Sequence, residues 1–227
     1  MKFEYKELES ITTDNGRVYE TPAGTFPSIT TILSKTKDMT PLNEWRKRVG
    51  DEEADRHTNY AADRGTKVHK HMEDFMGGKE PDLSQATADE KSMFFSMKLF
   101  FSQHIKEVYA QEVPLYSPTL KYAGRTDLYG AWDFGYEVDD AIIDWKTSYR
   151  PKKIEWIKDY FVQDLAYTIA HNELYGTNIT KGVILIAVET DLPQCFTIDF
   201  KKESWVWEEF GKRLSTFYRE NPRGIEV

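Results

Sequence analysis

Apolar positions recur along the chain with two periods, and the switches between those periods divide it into elements. Over residues 1–26 apolar and polar positions alternate in short runs broken at Asp14-Asn15-Gly16 and Pro22-Ala23-Gly24, the pattern of β-strands joined by tight turns. Pro27-Ser28 then offers a helix start with Ser28 as the capping residue. Between 41 and 110 the spacing is helical, over 42–50, 52–76 and 87–108, with Gly77-Gly78 and Pro81 as breaks. Strand-like runs follow at 109–116, 124–132 and 141–147. Residues 154–175 carry the period of a long amphipathic helix that Gly176 would close. The near-continuous apolar run 182–188 fits a strand covered on both faces, and 195–200 and 204–219 read as a further strand and a last helix.

This order predicts an α/β fold in which a mixed central sheet is flanked by helices. At 227 residues one core can bury roughly three quarters of the surface of the unfolded chain, so a single domain over 1–227 is expected. No internal repeat or low-complexity tract argues for a different division. The longest aliphatic run, 183–188, is far short of the ~20 residues of a membrane span, and residues 1–10 are acidic and mixed. A cytoplasmic, non-secreted protein with no membrane partner is therefore the expectation. Cys195, the single cysteine, excludes an internal disulfide, a thiolate zinc cluster and a four-cysteine iron–sulfur cluster. Any metal must then rest on carboxylates or imidazoles.

Charge at first argues against a nucleic-acid partner, because 38 acidic residues against 30 basic ones give a net −8. The distribution changes that reading. Over 141–158 five basic residues, Lys146, Arg150, Lys152, Lys153 and Lys158, face only Asp144 and Glu155, a local charge of +3. Arg46-Lys47-Arg48 and Arg64-x-x-Lys67 add positive charge to the helical region.

Candidate chemistry lies in the same stretch. Asp127 precedes Asp144-Trp145-Lys146, and alternation sends Asp144 and Lys146 to one face of their strand while Ile143 and Trp145 go to the other. If the preceding strand pairs antiparallel with it, Asp127 stands beside Asp144. Two carboxylates held together repel unless a cation lies between them, and a hard divalent ion with oxygen ligands is the usual answer. A lysine in reach of the same point would orient water and offset charge on a phosphate. The Asp144-x-Lys146 pattern alone carries no weight, since about five acid-x-base pairs arise from this composition by chance. An exposed ion pair on an edge strand is its plain alternative, as a solvated strand carboxylate is for Glu112. Gln163 and Tyr167 share a helix face with Tyr160 and His171, beside an apolar row of Ile157, Phe161, Leu165 and Ile169. Surface amphipathicity would produce that stripe as well. Trp205-Val206-Trp207 reads as helix packing rather than a base-stacking platform.

Four motifs in order, Gly65-Thr66-Lys67-Val68-His69-x-x-x-Glu73, Gly124-x-x-Asp127, Asp144-Trp145-Lys146-Thr147-Ser148 and Gln163-x-x-x-Tyr167, resemble the RecB-type branch of the PD-(D/E)XK nuclease superfamily. The resemblance runs from about Phe26 to about Val188 and is strongest to small stand-alone exonucleases, mitochondrial and phage-encoded. It implies a restriction-endonuclease-like core over 109–200, with the helical region 41–110 covering the active site. It further implies Mg²⁺ or Mn²⁺ on Asp127, Asp144 and the carbonyl of Trp145, with His69 and Glu112 as further ligands. Lys146 would be the catalytic lysine, with Gln163 and Tyr167 in support. Arg125, Thr147, Ser148, Arg150, Lys152 and Lys153 would then meet the substrate. The implied reaction is hydrolysis of DNA phosphodiester bonds, of single strands from an end, with replication or recombination proteins as partners. Alternatives on the same fold are a flap endonuclease and an inactive nucleic-acid-binding module.

Overall fold

The computed structural model describes residues 3–225. Three short strands, β1 (Ser10–Thr13), β2 (Gly16–Thr21) and β3 (Gly24–Pro27), form an antiparallel meander with turns at the two places where polar residues and glycine interrupt the alternation. Ser28 then caps α1 (Ile29–Lys35), its side chain accepting from the Thr31 amide. Helices α2 (Thr40–Val49), α3 (Asp51–Met76) and α4 (Ala88–His104) follow.

The main sheet has five strands in the order β4-β5-β6-β7-β8, comprising β4 (Ile105–Ser117), β5 (Tyr122–Asp133), β6 (Val138–Ser148), β7 (Lys181–Val188) and β8 (Gln194–Asp199). Only β6 and β7 run parallel, joined by the crossover helix α5 (Lys158–Tyr175), and α6 (Ser204–Glu220) closes the described chain. Gly176 ends α5 at φ 64°, the left-handed position that a residue without Cβ takes most easily.

Two apolar layers sandwich the sheet. On one face Val68 and Met72 of α3 and Met93, Phe94, Met97 and Phe101 of α4 pack on Ile143, Trp145, Val183 and Leu185. On the other, Phe161, Leu165 and Ala166 of α5 pack with α1 and α6 on Ile142, Ile184 and Ile186. Every residue of β7 is buried, as its unbroken apolar run predicts.

Three expectations need correction. The helical pattern over 87–108 ends at His104, because Ile105 takes extended geometry and pairs with Trp132, so sheet pairing takes over four residues early. The helix expected from 154 begins at Lys158, after a single 3-10 turn at Ile154–Trp156. Nor is α5 amphipathic in the ordinary sense. Gln163, Asp164, Tyr167, Thr168 and His171 are as buried as its apolar row, since the sheet covers one side and α1 and α6 the other.

Candidate active site

The sheet forks where the acidic residues sit. The β5–β6 ladder runs from Asp133–Val138 to Leu128–Ile143 and stops; beyond it β5 pairs with β4 and, through Ala123, with Ser28, and β6 pairs with β7. Asp127 stands at the fork, and its side chain replaces the missing rung: Oδ2 accepts the Trp145 amide at 2.8 Å. Extending the register puts Asp127 opposite Asp144 on one side and, between the pairs Gln111–Leu128 and Val113–Thr126, opposite Glu112 on the other. Glu112 takes φ 50°, a left-handed conformation uncommon for a residue with a side chain.

A cleft of about 670 Å³ opens at the fork. Asp127, Asp144, Lys146, Glu112 and Thr147 line it from the sheet, Gln163 and Tyr167 from α5, and His69, Lys70 and Glu73 from α3. Of the helical region 41–110 it is therefore α3 that walls the site, while α4 packs behind α3 and α2 rests on α3.

Inside the cleft the polar groups are tied together. The Lys146 ammonium pairs with Asp144 Oδ2 and lies 5.5 Å from the Tyr160 ring centre. Gln163 Nε2 donates to Asp144 Oδ1 at 3.0 Å and lies 3.4 Å from the Tyr167 hydroxyl. His69 Nδ1 is 3.7 Å from Asp127 Oδ1. Gly124 leaves space for Tyr167: a Cβ there would come within 2.7 Å of the ring.

Burial sets the electrostatics. Desolvation, then the charge of Asp144, hold the Asp127 carboxyl well above the usual carboxylate range. Burial alone would lower the Lys146 ammonium, but Asp144 and Asp127 outweigh it and raise it. Burial and the Lys146 charge lower His69 to about 4, so its imidazole is neutral near pH 7. Glu112 is raised, chiefly by burial.

These donors suit a hard divalent cation. Two neighbouring buried carboxyls outweigh one ammonium once both are ionised, which a cation between them would favour, and oxygen ligands with a neutral imidazole nearby match such an ion. Among the described residues no three His, Cys, Asp or Glu side chains form a ready-made cluster, so the fitting part is the Asp127–Asp144 pair.

Other candidates are placed differently. Arg125 borders the cleft, but its guanidinium bonds the Glu112 carbonyl at 3.0 Å and Glu7 at 2.5 Å. Ser148 is turned into the fold, its hydroxyl donating to the Arg150 carbonyl at 2.6 Å. Arg150, Lys152 and Lys153 lie on the loop after β6, outside the cleft wall. The Trp145 ring is buried in the α3–α4 layer.

Sequence reasoning missed Asp164. It is fully buried behind the site with the Val183 backbone beside it, and burial followed by the Asp144 charge raises its carboxyl well above the usual range. A lone acid within a helix carries no signal that distinguishes it from a surface residue. Arg17, Tyr19 and Thr30, from the N-terminal meander and α1, also border the cleft unannounced.

No protein-family model matches the chain. Mitochondrial genome maintenance exonuclease 1 of Xenopus tropicalis is 27% identical over 186 residues, covering 75% of this chain and 50% of that protein. The human protein of the same name is 25% identical over 203 residues, covering 85% of this chain and 58% of that one. The chain thus spans about half the length of these relatives. In fold it is similar to the crystal structure of a candidate exonuclease from Eubacterium rectale, with a TM-score of 0.50 and 14% identity over 70% of this chain and 66% of the other. Together with the forked mixed sheet, these likenesses show a restriction-endonuclease-like α/β fold and a sequence similar to that of mitochondrial genome maintenance exonuclease 1.

Proposed function

We propose that the chain is a divalent-cation-dependent exonuclease that hydrolyses DNA phosphodiester bonds, taking single strands from an end and leaving 5′-phosphate and 3′-hydroxyl termini. The observation that carries this reading is the Lys146 ammonium held against Asp144, beside Asp127, at the open fork of the sheet. Asp127, Asp144 and the Trp145 carbonyl would hold Mg²⁺ or Mn²⁺, with Glu112 and His69 in reach of the same space. A cation bound there supplies Lewis acidity, making water a better nucleophile near neutral pH and offsetting phosphate charge.

The chain's own groups do the rest. Lys146, kept protonated by its two carboxylates, donates to the attacking water and to the phosphate oxygens as negative charge builds there. Gln163 fixes the Asp144 carboxylate through Oδ1, and Tyr167 backs Gln163. His69, neutral at working pH, faces Asp127 without adding a competing positive charge.

The test is digestion of end-labelled linear and circular DNA, single-stranded and duplex, with Mg²⁺, Mn²⁺ or chelator, by wild type and Lys146→Ala. Expected is loss of linear single strands with metal only, and a fall of about 10²–10³ in rate for the variant, the scale of removing one preorganised donor. Cleavage of circular single strands would establish endonuclease action instead. No digestion with either metal would leave a binding module, and equal digestion by Lys146→Ala would remove Lys146 from the mechanism.

A further inference from the structure

The segment between β6 and α5 joins two walls of the cleft, since Thr147 precedes it and Gln163 follows it, and both line the site. A connection of this kind ordinarily carries small polar residues. This one displays two large rings to solvent: Tyr149 is 53% exposed and Trp156 is 63% exposed. Both have a cation beside them, with the Arg150 guanidinium 5.5 Å from the Tyr149 ring centre and the Lys153 ammonium 5.4 Å from that of Trp156.

The display is rigid. Thr190 donates through its amide and hydroxyl to the Tyr149 carbonyl, at 3.3 and 2.9 Å. Gln194 closes a two-way clamp on Lys152, accepting from its amide at 2.6 Å and donating to its carbonyl at 3.0 Å. Ile157, fully buried, anchors the far end. The rings are therefore held out by a preorganised backbone, and ordering them on contact with a ligand costs little further entropy.

Apolar rings with cations beside them sit on a fixed loop, Tyr149 two residues from the cleft residue Thr147 and Trp156 at the edge of a neighbouring hollow where Lys158, Lys212 and Arg213 stand among Asp159, Glu208 and Glu209, and such rings match one chemistry. Bases stack on aromatic faces regardless of sequence, and flanking Lys and Arg track the backbone. A duplex hides its base faces, so the partner that fits is an unpaired strand. We infer that Tyr149 and Trp156, with Arg150 and Lys153, form a stacking platform for the part of a single DNA strand lying just outside the cleft. The platform rests on the nuclease reading for its substrate and explains how a chain of net charge −8 grips a polyanion.

The test is a binding titration in chelator, where no hydrolysis occurs, using a single-stranded oligonucleotide of about 16 nucleotides and an abasic strand of the same length. For Tyr149→Ala or Trp156→Ala the dissociation constant for the normal strand should rise about 5- to 150-fold per lost stack, and Trp156→Phe should recover most of the loss. Wild type should bind the abasic strand as weakly as the alanine variants bind the normal one. Circular dichroism of each variant separates loss of the platform from loss of fold. Unchanged affinity in both folded alanine variants, or equal affinity of wild type for the two strands, overturns the platform even if wild type digests single strands with metal. If wild type digests nothing with either metal, the nuclease reading falls and the platform falls with it.

Discussion

Gly124→Ala tests the packing that holds the candidate site. Gly124 is not among the positive-φ residues, so an alanine can adopt its backbone conformation, and the whole cost is the contact. The added Cβ would lie 2.7 Å from Tyr167 Cε1, 3.1 Å from its hydroxyl oxygen and 3.3 Å from Cζ. Tyr167 is buried, so its ring can yield only by moving its neighbours, and overpacking of this kind costs about 1–3 kcal/mol. For a chain of this size each kcal/mol lowers the melting temperature by about 2–4 °C, which makes the expected fall about 2–12 °C. In a Tyr167→Ala background the obstacle is gone. There Gly124→Ala should be neutral or stabilising by about 0.4–1 kcal/mol, because alanine restricts the unfolded chain more than glycine. The assay is a double-mutant cycle by urea denaturation in chelator, with a coupling of about 1–3 kcal/mol expected. An equal cost of Gly124→Ala in both backgrounds would falsify the contact. A nuclease rate that falls further than stability in the single variant would show the displaced ring loosening Gln163 from Asp144.

Three further outcomes follow from buried charge. Asp127 and Asp164 have folded-state values raised by burial above the ordinary ~3.9, so their stabilisation is complete below that pH and is lost as pH rises through the raised values. The melting temperature in chelator should therefore fall as pH rises above about 4, and Asp164→Asn should flatten that fall; stability rising with pH there would contradict the assignment. Saturating Mg²⁺ or Mn²⁺ at neutral pH should raise the melting temperature of wild type more than that of Asp127→Asn, read by calorimetry. Glu189→Ala should cost about 3–5 kcal/mol, because it leaves the Arg64 guanidinium, 3% exposed, without its carboxylate; a loss under about 1 kcal/mol would mean water reaches it.

Local chemistry made much of this fold readable. Ser28 and Gly176 mark their helix ends because a cap hydroxyl and a left-handed C-terminus are short-range requirements. The 182–188 run could be buried only as a strand covered on both faces. Alternation alone set Asp144 and Lys146 apart from Ile143 and Trp145, and the antiparallel register brought Asp127 opposite. What stayed hidden depends on partners distant in sequence. Ile105 leaves the helix because Trp132 is there to pair with it, and Asp164 is buried because α5 is covered on both sides. Arg17 and Thr30 reach the cleft only because the N-terminal meander docks beside β5, with Ser28 bridging to Ala123.

The helix α2 buries no residue at all, and before Arg64 the helix α3 buries only Ala54. The two are joined through Arg46, which pairs with the exposed Asp51 and Asp55, ion pairs that solvent screens. Residues 40–63 therefore open as a unit of their own while the sheet stays closed. Their amide protons should exchange with solvent by local opening, whereas those of β7 wait for global unfolding. The α3 wall of the cleft begins at Gly65 and is rooted at Val68 and Met72, so opening of the segment before it should leave the lined cleft standing.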